Sequence, residues 1–285
     1  MKKILITGAS GLFGHHLKKF LKKKKFKIST FKRTADKQLN YYLYCSKFLK
    51  KNYFDFIINL SAITDIDFCE KNRKFTKKVN FQIVKNICNS IKENNLKTFF
   101  IQFSTDQFYS NLRNNTEKIN TFKNFYTFSK FLSEKESAKI NSIVVRTNFI
   151  GKSFSKNRMS FSDWIYYNLK KKNKIRLASD IQFSPLSIES LCLAVLKIIK
   201  KKHQGTFNVG SRNGFSKYEF GIKFAKKLNL DTNLIKKVKL KDLKLKAKRN
   251  KDMRMKVKKF EKKFDCKFNT FDQELDKIVS YYKKV

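Results

Sequence analysis

Residues 3–14 read Lys3-Ile-Leu-Ile-Thr7-Gly8-Ala-Ser-Gly11-Leu12-Phe13-Gly14, an apolar run that breaks into three glycines at intervals of three. The chain holds only eight glycines in 285 residues, so three in one short segment need a local cause. The apolar run predicts a buried strand, and Leu12 to Leu21, with Leu17 and Leu21 one turn apart, predicts a helix directly after it. A strand that passes straight into a helix must turn tightly, and residues without a Cβ let a pyrophosphate come close to the backbone. The free N–H groups and the positive end of the helix then face that anion. Gly8, Gly11 and Gly14, with the intervening Leu12 and Phe13, form the candidate cofactor-binding turn.

The pattern continues outward. Strands are expected at Phe26 to Phe31, Phe54 to Leu60, Thr98 to Phe103 and Ser142 to Arg146. Val79, Ile83, Val84, Ile87 and Ile91 repeat at helical spacing, and Tyr126 to Ala138 is a further helix. Strands separated by helices imply parallel pairing through crossovers, hence an α/β fold with a doubly wound, Rossmann-like parallel sheet. The second half is less regular, with helices expected near 161–171, 188–201, 217–228 and 273–282 and short strands near 175–177 and 206–209. It reads as a smaller, helix-rich C-terminal substrate lobe, so the division is 1–150 for the dinucleotide-binding domain and 151–285 for a lobe partly interleaved with it. The lysine-dense segment 236–263 is expected to be a solvated, partly helical face.

Composition bounds the function. Lys plus Arg total 66 against 22 Asp plus Glu, a formal charge of +44. Only nine of those cations are Arg, the residue that reads bases and phosphates with a planar fork, and the lysines spread along the whole chain. With 30 Phe and one Pro, this looks like a drift of composition and not a nucleic-acid face, so nucleic acid is not expected as the main partner. No stretch approaches the roughly 20 apolar residues of a membrane span, and the apolar run at the N-terminus stops at Gly8, too early for an export signal. Cys45, Cys69, Cys88, Cys192 and Cys266 lie far apart with no Cys-x-x-Cys pair, which suits unpaired thiols in a reducing cytoplasm better than disulfides or a zinc site.

Further motifs lie where such a sheet would place them. The ribose end of a dinucleotide should meet the end of the second strand, where the sequence is Phe31-Lys32-Arg33-Thr34. A cation there suits a 2′-phosphate, so Arg33 favours NADP(H) over NAD(H), while Asp36 keeps NAD open. Tyr126 and Lys130 stand at i and i+4, on one helix face. An ammonium beside a phenol is expected to lower its pKa from about 10 by roughly 1–3 units. Ser104-Thr105-Asp106 closes the fourth strand, where a hydroxyl can hydrogen-bond a carbonyl oxygen during proton transfer.

The glycine spacing, together with Tyr-x-x-x-Lys, resembles the extended branch of the short-chain dehydrogenase/reductase superfamily. Over nearly its whole length the chain resembles one family in particular, the dTDP-4-dehydrorhamnose reductases. The segments that carry the likeness are Asn59 to Asp67, Ser104-Thr-Asp106, Val145-Arg-Thr147, Asp180 to Pro185 with the chain's only proline, Gly205 to Val209, Ser216 to Phe220, and the tail from Arg249. The resemblance implies that Ser61, Ala62 and Ile63 lie along the cofactor. It implies Thr105, Tyr126 and Lys130 as catalytic residues, Tyr126 and Lys130 also touching cofactor, and Thr105, Asp106 and Phe149 at the sugar. Phe149 stands where the family commonly has Trp, and Asn250 replaces a common proline. A homodimer is compatible with the likeness, but His16 stands where some members have a glutamate linked to metal-assisted dimerisation, so no metal is carried over.

The activity implied is NADPH-dependent reduction of a nucleotide-linked 4-keto-6-deoxy sugar, most closely dTDP-4-dehydrorhamnose to dTDP-L-rhamnose, a precursor of cell-surface polysaccharide. A 4,6-dehydratase needs a carboxylate base after the aspartate, and Gln107 cannot supply one. Two rival readings share the fold. One is a 4-epimerase, which retains its cofactor; the other is a non-catalytic nucleotide-binding subunit, such as serves methionine adenosyltransferase in some organisms. A pure binder has no need of Thr105, Tyr126 and Lys130 together.

Overall fold

The run Lys3–Thr7 is β1, and every residue of it after Lys3 is buried. In the computed structural model, which describes residues 1–31, 38–110, 115–118, 121–154 and 159–283, the chain continues through α1 (Leu12–Lys23), β2 (Lys27–Thr30), α2 (Tyr42–Lys51) and β3 (Phe56–Asn59). It goes on through two short helices, α3 (Ile66–Lys71) and α4 (Arg73–Lys77), then α5 (Ile83–Glu93), β4 (Phe99–Thr105), α6 (Phe125–Ser137) and β5 (Ser142–Thr147). Next come β6 (Phe149–Ile150), α7 (Phe161–Lys170), β7 (Ile175–Ala178), β8 (Gln182–Phe183), β9 (Leu186–Ser187) and α8 (Ile188–Lys201). The chain ends with β10 (Gly205–Val209), β11 (Phe215–Ser216), α9 (Lys217–Lys227), β12 (Ile235–Val238), α10 (Lys258–Phe264) and α11 (Phe271–Lys283).

Six strands form one parallel sheet in the order β10-β5-β4-β3-β1-β2. Its strands are apolar throughout because both faces are covered. Ile4, Ile6, Phe56, Ile58, Phe99, Ile101 and Phe103 face α1, α8 and α10. The alternate residues Leu5, Ile57 and Phe100 face α2 and α5 on the other side. This is the doubly wound sheet that the alternating runs predict. The sixth strand comes from the second half of the chain: β10 pairs with β5, Gly205 beside Ile143 through Val209 beside Thr147.

A second apolar cluster gathers α7, β7, α9 and α11, with Phe220 and Phe271 stacked at 5.8 Å between ring centres. The segment 236–263 does more than face solvent. Met253, Met255 and Val257 are buried at alternate positions, and Lys258–Phe264 is helical with Phe260 and Phe264 in the main core. Its many lysines hide a period of two.

One buried ion pair fixes α6 against the sheet. Glu134 receives Nε and Nη2 of Arg146 on β5, at 2.9 and 2.6 Å, and the Ser104 hydroxyl on β4 at 2.5 Å. Nη1 of Arg146 donates to the Tyr109 hydroxyl (3.0 Å) and to the carbonyl of Glu117 (2.8 Å). Breaking such a pair strands an uncompensated charge. Arg146→Met is therefore expected to cost about 3–5 kcal/mol, read as a lower urea midpoint, and Arg146→Met combined with Glu134→Leu should recover most of it. An equal loss in the single and double variants would show that the stranded carboxylate is not the cause.

Candidate active site

The crevice opens between β1 and β3. From β1 the sheet grows one way to β2 and the other way through β3 to β10, and ligands of such sheets bind at the carboxyl ends where the order reverses. Gly8 sits at φ +68°, and a Cβ on it would lie 2.7 Å from the carbonyl carbon of Leu60 and from the Ser61 nitrogen. A Cβ on Gly14 would lie 2.5 Å from the Gly8 oxygen. These two glycines let the β1 turn, the start of α1 and the loop after β3 close on one another. Gly11 has φ −70° and ψ 168°, which any residue adopts, so backbone strain does not require it. It is the N-cap of α1, whose first turn has neither a side-chain cap nor an acidic residue. A bare helix start fed by a glycine turn fits the pyrophosphate of a dinucleotide.

Leu12 and Phe13 pack downward into the core. The Phe13 ring lies 5.3 Å from Phe103 and 5.3 Å from Phe149. Phe149, the candidate sugar contact, is thus half-buried on the aromatic floor beneath the glycine turn. The side chain that reaches the neighbouring aspartate is Asn148, whose Nδ2 donates to Asp106 Oδ2 at 2.8 Å. Arg33, with Lys32 and Asp36, lies outside the described residues.

Thr105, Asp106, Tyr126 and Lys130 come together at the end of β4, and all four are buried. Asn124 caps α6, its side chain accepting from Thr127 N at 3.0 Å, so Tyr126 falls in the first turn and Lys130 one turn on. The Tyr126 hydroxyl lies near the Thr105 side chain, whose own hydroxyl donates to Asp106 Oδ1 at 3.5 Å and accepts from Gln107 N at 3.1 Å. Lys130 Nζ donates to the carbonyl of Phe103 at 2.7 Å. Here the structure corrects the expectation for the phenol. Burial pushes the pKa of Tyr126 up; the neighbouring Thr105 hydroxyl opposes this, and Asp106 adds to it. The Lys130 ammonium is directed to the Phe103 carbonyl, and burial outweighs any lowering of the phenol. Burial lowers Lys130 itself to about 8, against the pull of Glu134 one further turn along α6. Burial also raises Asp106 to about 6, opposed by the Asn148 bond and by the charge of Lys217.

Several residues that position the site carry no sequence motif. Asn80 holds both ends of the Ile63 peptide, accepting from its N–H at 2.7 Å and donating to its carbonyl at 3.1 Å, while Nδ2 also reaches Ser129 Oγ on α6 at 3.1 Å. Asn80 lies in a π-helical turn, Lys78–Gln82, where the helix expected from Val79 is still irregular. Such turns recur at functional sites. A buried Asn among the apolar positions of an amphipathic helix was the available signal. Ser61 N is held by Asn59 Oδ1 at 3.3 Å, so the loop of Ser61, Ala62 and Ile63 is fixed at both ends, with Ser61 N next to Gly8. Thr7 Oγ1 bonds Asn59 Oδ1 at 2.5 Å, Asn59 Nδ2 bonds Gln102 Oε1 at 2.8 Å, and Gln102 Nε2 bonds the same Phe103 carbonyl that accepts from Lys130. A polar chain thus crosses β1, β3 and β4 and ends at the lysine.

All five cysteines are free, and among the described residues no group of His, Cys, Asp and Glu could hold a metal ion. No described helix is long and apolar enough to cross a membrane.

Comparison with known proteins gives a consistent likeness. A crystal structure of a dTDP-4-dehydrorhamnose reductase from Clostridium acetobutylicum superimposes with a TM-score of 0.89 at 23% identity, covering 99% of each chain. That of a dTDP-4-dehydrorhamnose reductase from Bacillus anthracis in complex with NADP gives 0.89 at 20% identity, covering 100% of this chain and 99% of that one. At these identities the likeness is one of fold. Among curated proteins, a probable low-salt glycan biosynthesis reductase, Agl14, of Haloferax volcanii is 22% identical over 228 residues, which is 78% of this chain and 75% of that protein. The family model described as the RmlD substrate binding domain matches residues 1–284, and the chain belongs to that family.

Proposed function

We propose that this protein is an NADPH-dependent reductase of a nucleotide-linked 4-keto-6-deoxy sugar, with dTDP-4-dehydrorhamnose as the expected substrate and dTDP-L-rhamnose as the product. The observation that carries the reading is the buried cluster of Thr105, Tyr126 and, one helical turn on, Lys130, at the end of β4 beside the glycine crevice. The names of the relatives agree with it, and the NADP in the B. anthracis structure supports the cofactor.

Gly8, Gly11 and Gly14 would hold the pyrophosphate, the Ser61–Ile63 backbone and Lys130 the nicotinamide half, and Arg33 the 2′-phosphate. Bound there, the cofactor supplies a hydride to the keto carbon. The chain's own residues manage the oxygen. Thr105 orients the carbonyl through its hydroxyl, and Tyr126 delivers the proton to the developing alkoxide. Burial keeps the phenol protonated before the reaction, and positive charge from Lys130 and the developing negative charge on the alkoxide would favour the transfer. Lys130 supplies positive charge behind the tyrosine as it gives the proton up. Asp106, fixed by Asn148, presents acceptor oxygens to the sugar. Elimination of water, as in a 4,6-dehydratase, would need a base where Gln107 stands; its amide donates to Asp106 Oδ1 at 3.3 Å and cannot take a proton.

The test is to incubate the protein with dTDP-4-keto-6-deoxyglucose or dTDP-4-dehydrorhamnose and NADPH or NADH, follow loss of nicotinamide absorbance, and identify the sugar. Tyr126→Phe is expected to lower kcat by about 10²–10⁴-fold while NADPH still binds. Tight NADPH binding with no turnover of either sugar by the wild-type protein would assign it instead to the binding-subunit class. The pH profile of kcat/KM should be a bell between about 6 and 8. The acid limb appears as Asp106 loses its negative charge below about 6, and the alkaline limb as Lys130 loses its proton above about 8. Asp106→Asn should flatten the acid limb and leave the alkaline one; an unchanged acid limb would exclude Asp106 as its source.

A further inference from the structure

We propose that Lys217 is the side chain by which the C-terminal lobe grips the diphosphate of the nucleotide-linked substrate. The inference rests on the reductase reading above and adds to it the anchor for the substrate's charged bridge.

Lys217 is the first residue of α9, and its backbone is held from three sides. Ser216 and Glu219 form a reciprocal cap, Glu219 N to Ser216 Oγ at 3.0 Å and Ser216 N to Glu219 Oε2 at 2.7 Å. β11 pairs with β8, Phe215 beside Phe183, and Lys217 N donates to the Ile181 carbonyl at 3.0 Å. So held, the side chain reaches over two rings, with Nζ 4.3 Å from the centre of Phe161 and 4.8 Å from that of Phe183. The residue is half-buried, and among the described residues its ammonium has no hydrogen bond and no ion pair. That sets it apart from the solvated lysines that cover this chain.

Its charged neighbours come from other elements. Asp106, at the end of β4, attracts it, and Arg249, on the C-terminal tail, repels it. Arg249 is itself paired with Asp67 at 3.2 Å, and the oxygens of Asp106 already accept from Asn148 and Gln107. Lys217 thus sits where burial removes water and ring faces return only part of the lost hydration, with the attraction of Asp106 larger than the repulsion of Arg249 but, among the described residues, no hydrogen-bond acceptor at its ammonium. A neutral sugar hydroxyl would supply one acceptor and no charge. A diphosphate supplies both negative charge and several acceptor oxygens. Lys217 is near enough to Asp106 for each to act on the other's charge, and Asp106 follows Thr105 directly, so a substrate held at its diphosphate would have its sugar within reach of them.

The experiment measures binding of dTDP alone by calorimetry, with NADPH binding measured in parallel. Lys217→Met removes the charge but keeps an unbranched stem against the two rings, and Lys217→Gln covers the case in which methionine disturbs packing. Both variants should weaken dTDP by about 10- to 100-fold, leave NADPH within about twofold, and be largely rescued by Lys217→Arg. Variants that bind dTDP as tightly as the wild-type protein overturn the inference and leave the reductase reading intact. Wild-type protein that binds NADPH but not dTDP overturns both. Charge-dependent dTDP binding without turnover of any keto sugar supports the anchor and removes the reductase.

Discussion

The buried carboxylate of Glu134 is the constraint on which the site depends. Tyr126, Lys130 and Glu134 follow one another at single-turn spacing on α6, so they share the face turned to β4 and β5. Two of the three must stay free for chemistry, and the third does the fastening. A carboxylate out of water needs several strong donors, and Glu134 receives three bonds from Arg146 and Ser104. Meeting that requirement fixes the rotation and height of the helix, and with them the tyrosine beside Thr105. The same charge opposes the effect of burial on Lys130, so one residue both locates the ammonium and helps it remain charged.

The polar path does not stop at Arg146. Its guanidinium reaches Tyr109, Tyr109 bonds Asn208 on β10 at 2.5 Å, and Asn208 Nδ2 bonds the carbonyls of Asn115 and Lys256. Asn250, a few residues before Lys256, donates to the carbonyl of Gln107 at 2.5 Å. The tail that brings Arg249 to the mouth is therefore bonded to the strand ends that bear Thr105. This is the physical reason the second half of the chain cannot be regarded as a detached lobe: its strand β10 completes the sheet, and its tail is part of the polar framework around the site.

Much of this is legible in the residue order because the strongest signals are local. Apolar runs buried on both faces and helices with apolar spacing of three and four locate their own elements, and Gly8 and Gly14 mark places where a Cβ would collide with backbone. What stays hidden depends on distant partners. The π-helical turn at Lys78–Gln82 breaks the periodicity from Val79 because Asn80 must reach Ile63, a demand that no window of sequence contains. The phenol departs from expectation for the same reason: spacing places Lys130 near Tyr126, but only the fold reveals that the ammonium is taken up by Phe103 and that burial outweighs it. The packing of the half-buried Phe149 ring on Phe13 and the bond from the adjacent Asn148 to Asp106 likewise depend on partners far away in the sequence.

The acidic residues make the same point about where chemistry resides. In a chain with three times as many cations as anions, an acid retained in the interior has a specific task. Asp163 closes a capping box and accepts from the Tyr282 hydroxyl, Glu274 gathers the Ser187 amide with Ser190 and Asn269, Asp252 holds Arg254, and Glu134 holds Arg146. Each is saturated by donors that lock local geometry. Asp106 is equally buried, but its donors are the neutral amides of Asn148 and Gln107 and, at 3.5 Å, the Thr105 hydroxyl, with Lys217 acting through space, and burial pushes its carboxyl up to about 6. It stands beside the two hydroxyls that would handle a carbonyl. The site is thus distinguished from the structural network by a carboxyl that neutral donors offset only in part, where a sugar's hydroxyls would add further donors.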